Sequence, residues 1–188
     1  QSKNINDINL YDSTIDFTRA FSLLFNQNDN KTEIGIIPLG SIFNAQNKLK
    51  EIIKSHSKDV LLIDLDAPKS RKEERLKNNY SIAPDKVFFM IQKMESWILS
   101  QPEVIENYCK ESNFIRKKDG ERIEFDIKAE EINHPEQKLN SLFMKYFIDR
   151  NGKKAKYHKT KVAPKLIEKL SLSKLIEDFD EVENLMKT

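Results

Sequence analysis

The apolar run VLLIDLD, Val60 to Asp66, constrains the fold of this chain more than any other stretch of its sequence. Such a run is typical of a β-strand that is buried on both faces of a parallel sheet. It ends in two aspartates, Asp64 and Asp66, one residue apart. Because strand side chains alternate between faces, the run predicts both carboxylates on the same face. They would lie at the carboxyl end of the strand, where open parallel sheets bind their ligands.

Helical and extended segments alternate through the first hundred residues. Helices are predicted over DSTIDFTRAFSLLFNQ, with Asp12 or Ser13 as N-cap, over IFNAQNKLKEIIKSH and over the charged stretch SRKEERLKNN. Besides VLLIDLD, the runs TEIGIIPLG and KVFFMIQ are predicted as strands. This alternation favours right-handed crossovers and a mostly parallel α/β sheet flanked by helices, which we assign to residues 12–100.

Residues 101–188 are predicted to form a mainly helical extension of the same domain. Since Pro102 suits the first turn of a helix, ESWILSQPEVIENYCKE is predicted as two helices divided at Gln101. Residues 113–135, which include KKDGER, are predicted as a hairpin-like insertion. The chain has no internal repeat and no long linker, so its 188 residues indicate a single domain.

Composition narrows the class of protein. Hydrophobic residues make up 38% of the chain and charged residues 33%. The net charge is only +2, which argues against a protein whose entire surface is basic and binds polyanions. The single cysteine, Cys109, excludes a disulfide framework and favours a reducing compartment. No apolar run approaches the roughly 20 residues that span a bilayer. We therefore expect a cytoplasmic protein with no membrane partner.

The carboxylates suggest a metal site. Two neighbouring carboxylates repel each other unless a proton or a cation lies between them, and an oxygen-rich site suits Mg²⁺ or Mn²⁺. Glu95 follows the apolar run KVFFMIQ closely; if the two strands are neighbours, it supplies a third ligand at the same sheet edge. The alternatives are that the aspartates are solvated turn residues and that Glu95 is a helix-start residue favoured by the helix dipole. Trp97 is predicted to be a packing residue.

A basic segment, NGKKAKYHKTK at 151–161, is the second candidate feature. Its lysines, interleaved with Tyr157 and His158, are able to neutralise substrate phosphates, and one of them to stabilise the charge that develops at a scissile phosphate. The alternative is a solvated loop that leads into a helix. The three histidines lack zinc-ligand spacing, so we reject a zinc centre. The lysines are Lys153, Lys154, Lys156, Lys159 and Lys161, and the other histidines are His56 and His134.

The order of LGSIFNA, LLIDLDAP, FFMIQKMESWIL and KYHKTKVAPKLIEKL resembles a family of TOPRIM-like bacterial proteins that are often encoded beside AAA/ABC-type ATPases. The resemblance runs from about Asp12 to the C-terminal helices. Its most specific parts are the M-E-x-W and Y-H-K segments, in this order and spacing.

The resemblance implies a TOPRIM-like (Rossmann-like) fold and phosphodiester chemistry of the kind used by topoisomerases, primases and OLD-type nucleases. The D-x-D of the family matches Asp64 and Asp66, and the glutamate of M-E-x-W matches Glu95. These three are the expected metal ligands and, with Lys159, the expected catalytic residues. The expected phosphate-binding residues are Lys156, His158 and Lys161.

The chain departs from the family pattern in three places. TOPRIM sites also use a glutamate at the end of a first strand, and nothing before the Asp12 helix resembles that strand; we expect it to lie upstream of Gln1. Ser100–Gln101 stands where the family tends to have an aspartate after the tryptophan, and the glycine-rich element after the second strand is reduced to Gly40. The first departure bears directly on activity.

Three functions are compatible with these features. The leading hypothesis is a Mg²⁺- or Mn²⁺-dependent phosphodiesterase, most simply a nuclease acting on DNA or RNA, including tRNA. By resemblance it would be the effector, or toxin, of an anti-phage pair with an ATPase partner. The second is a catalytically incomplete TOPRIM-like module that binds that ATPase. A sugar-nucleotide transferase, which also uses D-x-D with a metal, is disfavoured by the short chain. The sequence leaves open whether the protein forms a homo-oligomer.

Overall fold

A computed structural model describes residues 5–27, 34–56, 58–117 and 120–188. The fold is mixed α/β, and its described residues divide into two compact units, each assembled from three stretches of the chain. The sheet unit comprises residues 39–100, 125–136 and 173–188; the helical unit comprises residues 1–38, 101–124 and 137–172. Among the described residues, no helix is both long and apolar enough to cross a lipid bilayer.

The sheet unit is built around two parallel strands, β1 (Leu61–Asp64) and β2 (Val87–Met90). Their register pairs Leu61 with Val87 and Asp64 with Met90, so the two strands are neighbours, which is the condition on which the expected approach of Glu95 depended. The helices of this unit are α2 (Ile42–Ser55), α3 (Lys72–Asn79), α4 (Glu95–Leu99), most of α8 (Leu172–Asp178) and α9 (Asp180–Met186); short 3₁₀ turns span 69–71, 84–86 and 129–131.

The core of the sheet unit lies between α2, α3 and the two strands. Helix α2 begins after Ser41, whose side chain accepts a hydrogen bond from the backbone N–H of Asn44, and ends at His56 in the left-handed conformation. Its apolar side chains recur at helical spacing, so one face is buried against the strands. The buried cluster comprises Ala45, Leu49, Ile52, Leu61, Leu65, Leu76, Tyr80, Ala83, Val87, Phe89 and Ile91.

Helix α9 covers the outer edge of β2. The backbone N–H of Phe89 donates to Glu181 Oε2 at 3.1 Å, and Glu181 also forms an ion pair with Lys72. The Glu181 side chain is only 5% exposed. A buried carboxylate is costly unless it is paired and hydrogen-bonded, and here both conditions are met.

The helical unit contains α1 (Ile5–Phe25), α5 (Pro102–Glu111), α6 (Pro135–Tyr146, all but its first two residues) and α7 (Lys159–Ile167). Helix α1 packs against α7, and α5 also contacts α7. Phe143 is the centre of an aromatic cluster, with ring centroids 6.1–6.3 Å from those of Tyr108, Phe147 and Tyr157. Burial raises the pKa of the Cys109 thiol in this unit to about 12.

Several sequence-based predictions of elements are confirmed. A strand is present within each of the runs 60–66 and 86–92, and the charged helix and the division between α4 and α5 at Gln101–Pro102 are also present. Trp97 is fully buried, and its ring lies 6.3 Å from that of Phe179, which confirms it as a packing residue.

Three predictions of elements are wrong. Helix α1 begins at Ile5 rather than near Asp12. The sequence did not indicate this start, because the mostly polar segment before Asp12 carries no apolar period that would mark a helix. TEIGIIPLG is irregular over 34–40 (Thr32 and Glu33 lie outside the described residues), since the Asn26 side chain bonds both the N–H and the C=O of Ile34 and competes with strand pairing.

The third concerns residues 113–135, of which 118 and 119 lie outside the described residues. Strand β3 (Ile115–Arg116) pairs antiparallel with β4 (Phe147–Ile148), not with a strand of the same insertion. The Arg116 guanidinium also contacts another part of the helical unit, through an ion pair with Glu106 at 2.7 Å. A long-range pairing of two residues on each side leaves no local hairpin pattern in the sequence.

Candidate acidic site at the end of the parallel strands

The carboxyl ends of β1 and β2 continue into two loops that are bonded to each other. Leu65 N–H donates to Met90 O at 3.1 Å, and Asp66 N–H donates to Gln92 O at 2.7 Å. Asp66 and Gln92 both have positive φ, 53° and 56°. The left-handed conformation is uncommon outside glycine, and such residues cluster at functional sites. The loops therefore fix a strained but hydrogen-bonded platform at the end of the strands.

Asp64 is the last residue of β1 and is partly buried. Its Oδ1 accepts a hydrogen bond from the backbone N–H of Met94 at 2.9 Å. This bond brings the segment after β2 against the carboxylate of β1, as expected if the two strands end at the same edge. A charge-assisted hydrogen bond of this kind also keeps the carboxylate oriented.

Asp66 does not continue the strand. β1 ends at Asp64, two residues earlier, and the backbone of Asp66 is left-handed, so the alternation that was expected to place both carboxylates on the same face does not reach Asp66. Its carboxylate instead pairs with the Lys93 ammonium, with Nζ 3.2 Å from Oδ1. Lys93 Nζ also lies 3.9 Å from Glu136 Oε2. One cation from the chain is thus placed among several carboxylates.

The pKa of Lys93 reflects this environment. Partial burial lowers the pKa. The hydrogen bond to Asp66 and the attraction of the Asp66, Glu136 and Asp64 carboxylates raise the pKa by more than burial lowers it, so the net shift is upward. The ammonium form is therefore favoured, as expected where negative charge is concentrated. Asp64, Asp66, Lys93, Glu95 and Glu136 are together called the acidic edge.

Glu95 is the first residue of α4, and its side chain is fully enclosed. Of the two residues before it, Lys93 contacts Asp66 through its side-chain ammonium, and Met94 contacts Asp64 through its backbone N–H. Over the described ranges, however, no three His, Cys, Asp or Glu side chains are grouped closely enough to bind a metal ion. The arrangement brings the segments together and leaves the Asp64 and Asp66 carboxylates engaged with protein groups.

The basic segment lies in the helical unit. Lys154 bridges to Ile148, and Ala155 N–H donates to Phe147 O at 3.1 Å, so the segment is extended beside β4. Ala155 and Tyr157 are buried, and the residues that alternate with them are exposed. The exposed set is Lys154, Lys156 and His158; Lys159 begins α7, and Lys161 is exposed in its first turn.

A family model described as "Domain of unknown function (DUF4276)" matches residues 13–188. The chain belongs to this DUF4276 family. No curated protein and no solved structure shows significant similarity to it. The matched range contains all of the acidic edge and the whole basic segment, so both features lie within the DUF4276 region.

Three polar residues of this DUF4276 chain escaped the sequence analysis: Lys93, Glu136 and Gln92. Lys93 stands between two candidate ligands in the sequence, and that position was the one signal that pointed to it. Glu136 is 70 residues from Asp66, and its approach depends on the path of residues 125–136. The left-handed conformation of Gln92 has no signature in a sequence that lacks glycine there.

Proposed function

We propose that this protein is a Mg²⁺- or Mn²⁺-dependent phosphodiesterase with a TOPRIM-like fold that cleaves DNA or RNA. The observation that carries the proposal is that Lys93 and Met94, the two residues before Glu95, contact the two aspartates. Met94 N–H bonds Asp64 at 2.9 Å, and Lys93 Nζ pairs with Asp66 at 3.2 Å. The carboxylates that the fold requires at one sheet edge are thus carried by segments that contact each other.

The donor set fits a hard divalent cation. Asp64, Asp66 and Glu95 offer only carboxylate oxygens, and Asp66 already binds a cationic group, the Lys93 ammonium. Asp64 and Asp66 would bind the ion, with Glu95 completing the set directly or through water. A divalent ion there supplies Lewis-acid stabilisation of charge on the phosphoryl oxygens and activation of the attacking water.

The chain's own cations have separate roles in this proposal. Lys93 exchanges its contact with Asp66 for one with the substrate, because the same carboxylate cannot serve both partners fully. Lys156, His158 and Lys161 bind backbone phosphates, and Lys159 stabilises the charge that develops at the scissile phosphate. The exposure of Lys156, His158 and Lys161 supports this assignment.

The test is cleavage of end-labelled single- and double-stranded DNA, RNA and tRNA, with Mg²⁺ or Mn²⁺ and with EDTA. Asp64→Asn keeps an oxygen that accepts the Met94 N–H and removes the charge, so it separates metal binding from folding. We expect this variant and Asp66→Asn to lose about 100-fold or more of the metal-dependent rate. The matched control is Asp85→Asn, in an exposed turn before β2, which should retain full activity. Undiminished cleavage by Asp64→Asn would refute the site.

A second candidate function is a TOPRIM-like module that binds an AAA/ABC-type ATPase encoded beside it. The engagement of Asp64 with Met94 and of Asp66 with Lys93, together with the burial of Glu95, favours this candidate. In either case we propose that the protein acts as the effector of an ATPase-coupled anti-phage pair. Co-purification with an AAA/ABC-type ATPase expressed with the protein, without metal-dependent cleavage by the pair, would support the module and not the phosphodiesterase.

A further inference from the structure

A depression of about 300 Å³ lies beside the acidic edge in the sheet unit. Its wall is formed by residues 68–70 after β1, by Gln92 after β2 and by residues 130, 131 and 133. Gln92 immediately precedes Lys93, and Pro68 is two residues beyond Asp66, so the depression opens from the same loops that carry the acidic edge. Its volume is at the lower end of the range for small-ligand pockets, which suits a single planar ring system.

Part of the wall is already held in place by protein contacts. Lys69 Nζ bonds Glu130 at 3.1 Å and Asp180 at 2.9 Å, and these bonds raise the pKa of Lys69. Gln92 is 7% exposed, and its Nε2 donates to Glu130 O at 3.3 Å. The wall on this side is therefore preorganised.

Three other side chains of the wall are available to a ligand. Within the described ranges, the Ser70 hydroxyl, the Glu131 carboxylate and the Asn133 amide form no hydrogen bond or ion pair with the protein, and all three residues are exposed. Around one depression they provide a hydroxyl that can donate or accept, a carboxylate that accepts, and an amide that can do both. The ring of Pro68 gives the depression an apolar surface.

We infer that this depression binds a nucleobase of the substrate, with preference for guanine. The Watson–Crick edge of guanine presents two adjacent N–H donors and one carbonyl acceptor, and a carboxylate beside a donor group complements that edge. Glu131 accepts from the N1–H and the exocyclic amino group, and the Asn133 amide or the Ser70 hydroxyl donates to O6. Adenine and the pyrimidines lack this pair of donors.

A phosphate is a poor occupant of the same depression. The Glu130 and Glu131 carboxylates repel an anion, and the Lys69 ammonium is already neutralised by two carboxylates. A base carries no net charge and avoids this repulsion. Proteins that recognise a nucleic-acid sequence through unpaired bases bind those bases in pockets. We therefore expect the substrate to present single-stranded or extruded nucleotides.

This inference rests on the proposed function for its choice of nucleic acid as ligand, and its test is independent of cleavage. Fluorescein-labelled single-stranded 12-mers, uniform except for one central guanine, adenine, cytosine or uracil, are titrated with the full chain in EDTA. We expect the guanine strand to bind about 10-fold more tightly than the others, because the phosphate contacts are the same in all four.

The variants assign the preference to the depression. Glu131→Gln and Asn133→Ala should each reduce the preference for guanine to about 2-fold or less while leaving affinity for the adenine strand unchanged. Glu73→Gln, an exposed change on α3 with the same loss of charge, is the matched control and should keep the full preference. Equal binding of all four strands, or a preference that survives Glu131→Gln, overturns the inference. Guanine preference in EDTA without cleavage in Mg²⁺ overturns the phosphodiesterase alone.

Discussion

The sheet unit encloses charged side chains, whereas the basic segment of the helical unit presents them to solvent. In the described part of the chain, the two acidic residues that are buried, Glu95 and Glu181, belong to the sheet unit. Lys154, Lys156 and His158 are exposed and alternate with the buried Ala155 and Tyr157. An enclosed charge is tolerated only with a specific partner, so its position is exact. An exposed lysine acts through its charge, and a neighbouring lysine can replace it.

The largest effect is expected at Glu181. Glu181→Ala removes the partner of Lys72 and leaves the Phe89 N–H without its acceptor, so we expect the free energy of unfolding to fall by about 3 kcal/mol. Urea unfolding monitored by circular dichroism measures it. The control is the neighbouring Asp180→Ala, which breaks an exposed pair with Lys69 and should cost about 1 kcal/mol or less. Equal losses from the two variants would show that enclosure does not distinguish them.

A smaller effect is expected for the exposed lysines. Under the proposed function, Lys154→Gln combined with Lys156→Gln should weaken binding to single strands about 10-fold in low salt, and should reduce the slope of log affinity against log salt by about 1.4. The stability of the protein should not change, because both side chains are exposed. Fluorescence anisotropy over a range of salt concentrations measures the binding.

The control for this pair is Lys50→Gln with Lys77→Gln, two exposed lysines of the sheet unit that remove the same net charge. If the control pair changes the salt slope as much as the Lys154 and Lys156 pair does, binding depends on net charge and not on the basic segment.

The smallest effect is expected at Lys93. Lys93→Met removes the ammonium from among Asp64, Asp66 and Glu136, so the unfolding free energy should fall by about 1 kcal/mol in low salt. Because the folded-state pKa of Lys93 is raised above 10.5, this contribution is fully present below pH 10.5 and is lost as the pH rises through the folded-state value. Urea unfolding between pH 7 and 11 measures it.

Magnesium sharpens the same test. If the acidic edge binds a divalent ion in place of the lost ammonium, Mg²⁺ should raise the melting temperature of Lys93→Met more than that of the wild type. An identical response of the two proteins would contradict divalent-ion binding at the acidic edge. A difference in stability that has already vanished at pH 9 would contradict the environment assigned to Lys93.

The parallel strands were predictable because their signal is local. VLLIDLD begins with four apolar residues and KVFFMIQ contains five in a row, so each indicates a strand buried on both faces, and the helix predicted between them favours a parallel pairing. β3 and β4 were not predictable, since two residues on each side pair across more than thirty positions. TEIGIIPLG failed for a different reason: a side chain eight residues away satisfies the backbone of Ile34.

The acidic site was predictable in its location and not in its contacts. The period of a strand and the position of the carboxyl ends led to Asp64, and the second strand led to the residues around Glu95. The left-handed turn at Asp66 and the ion pair with Lys93 depend on how two loops meet, which no periodicity encodes. The approach of Glu136 depends on a third stretch of the chain.

The bond between Phe89 and Glu181 has a consequence for the order in which the chain folds. The two residues are 92 positions apart, and the sheet unit needs residues 173–188 to cover the open side of β2. During synthesis from the N-terminus, β1 and β2 leave the ribosome well before that carboxylate does. The strand pair therefore has an exposed edge during that interval, which a chaperone would protect and which slow translation would prolong.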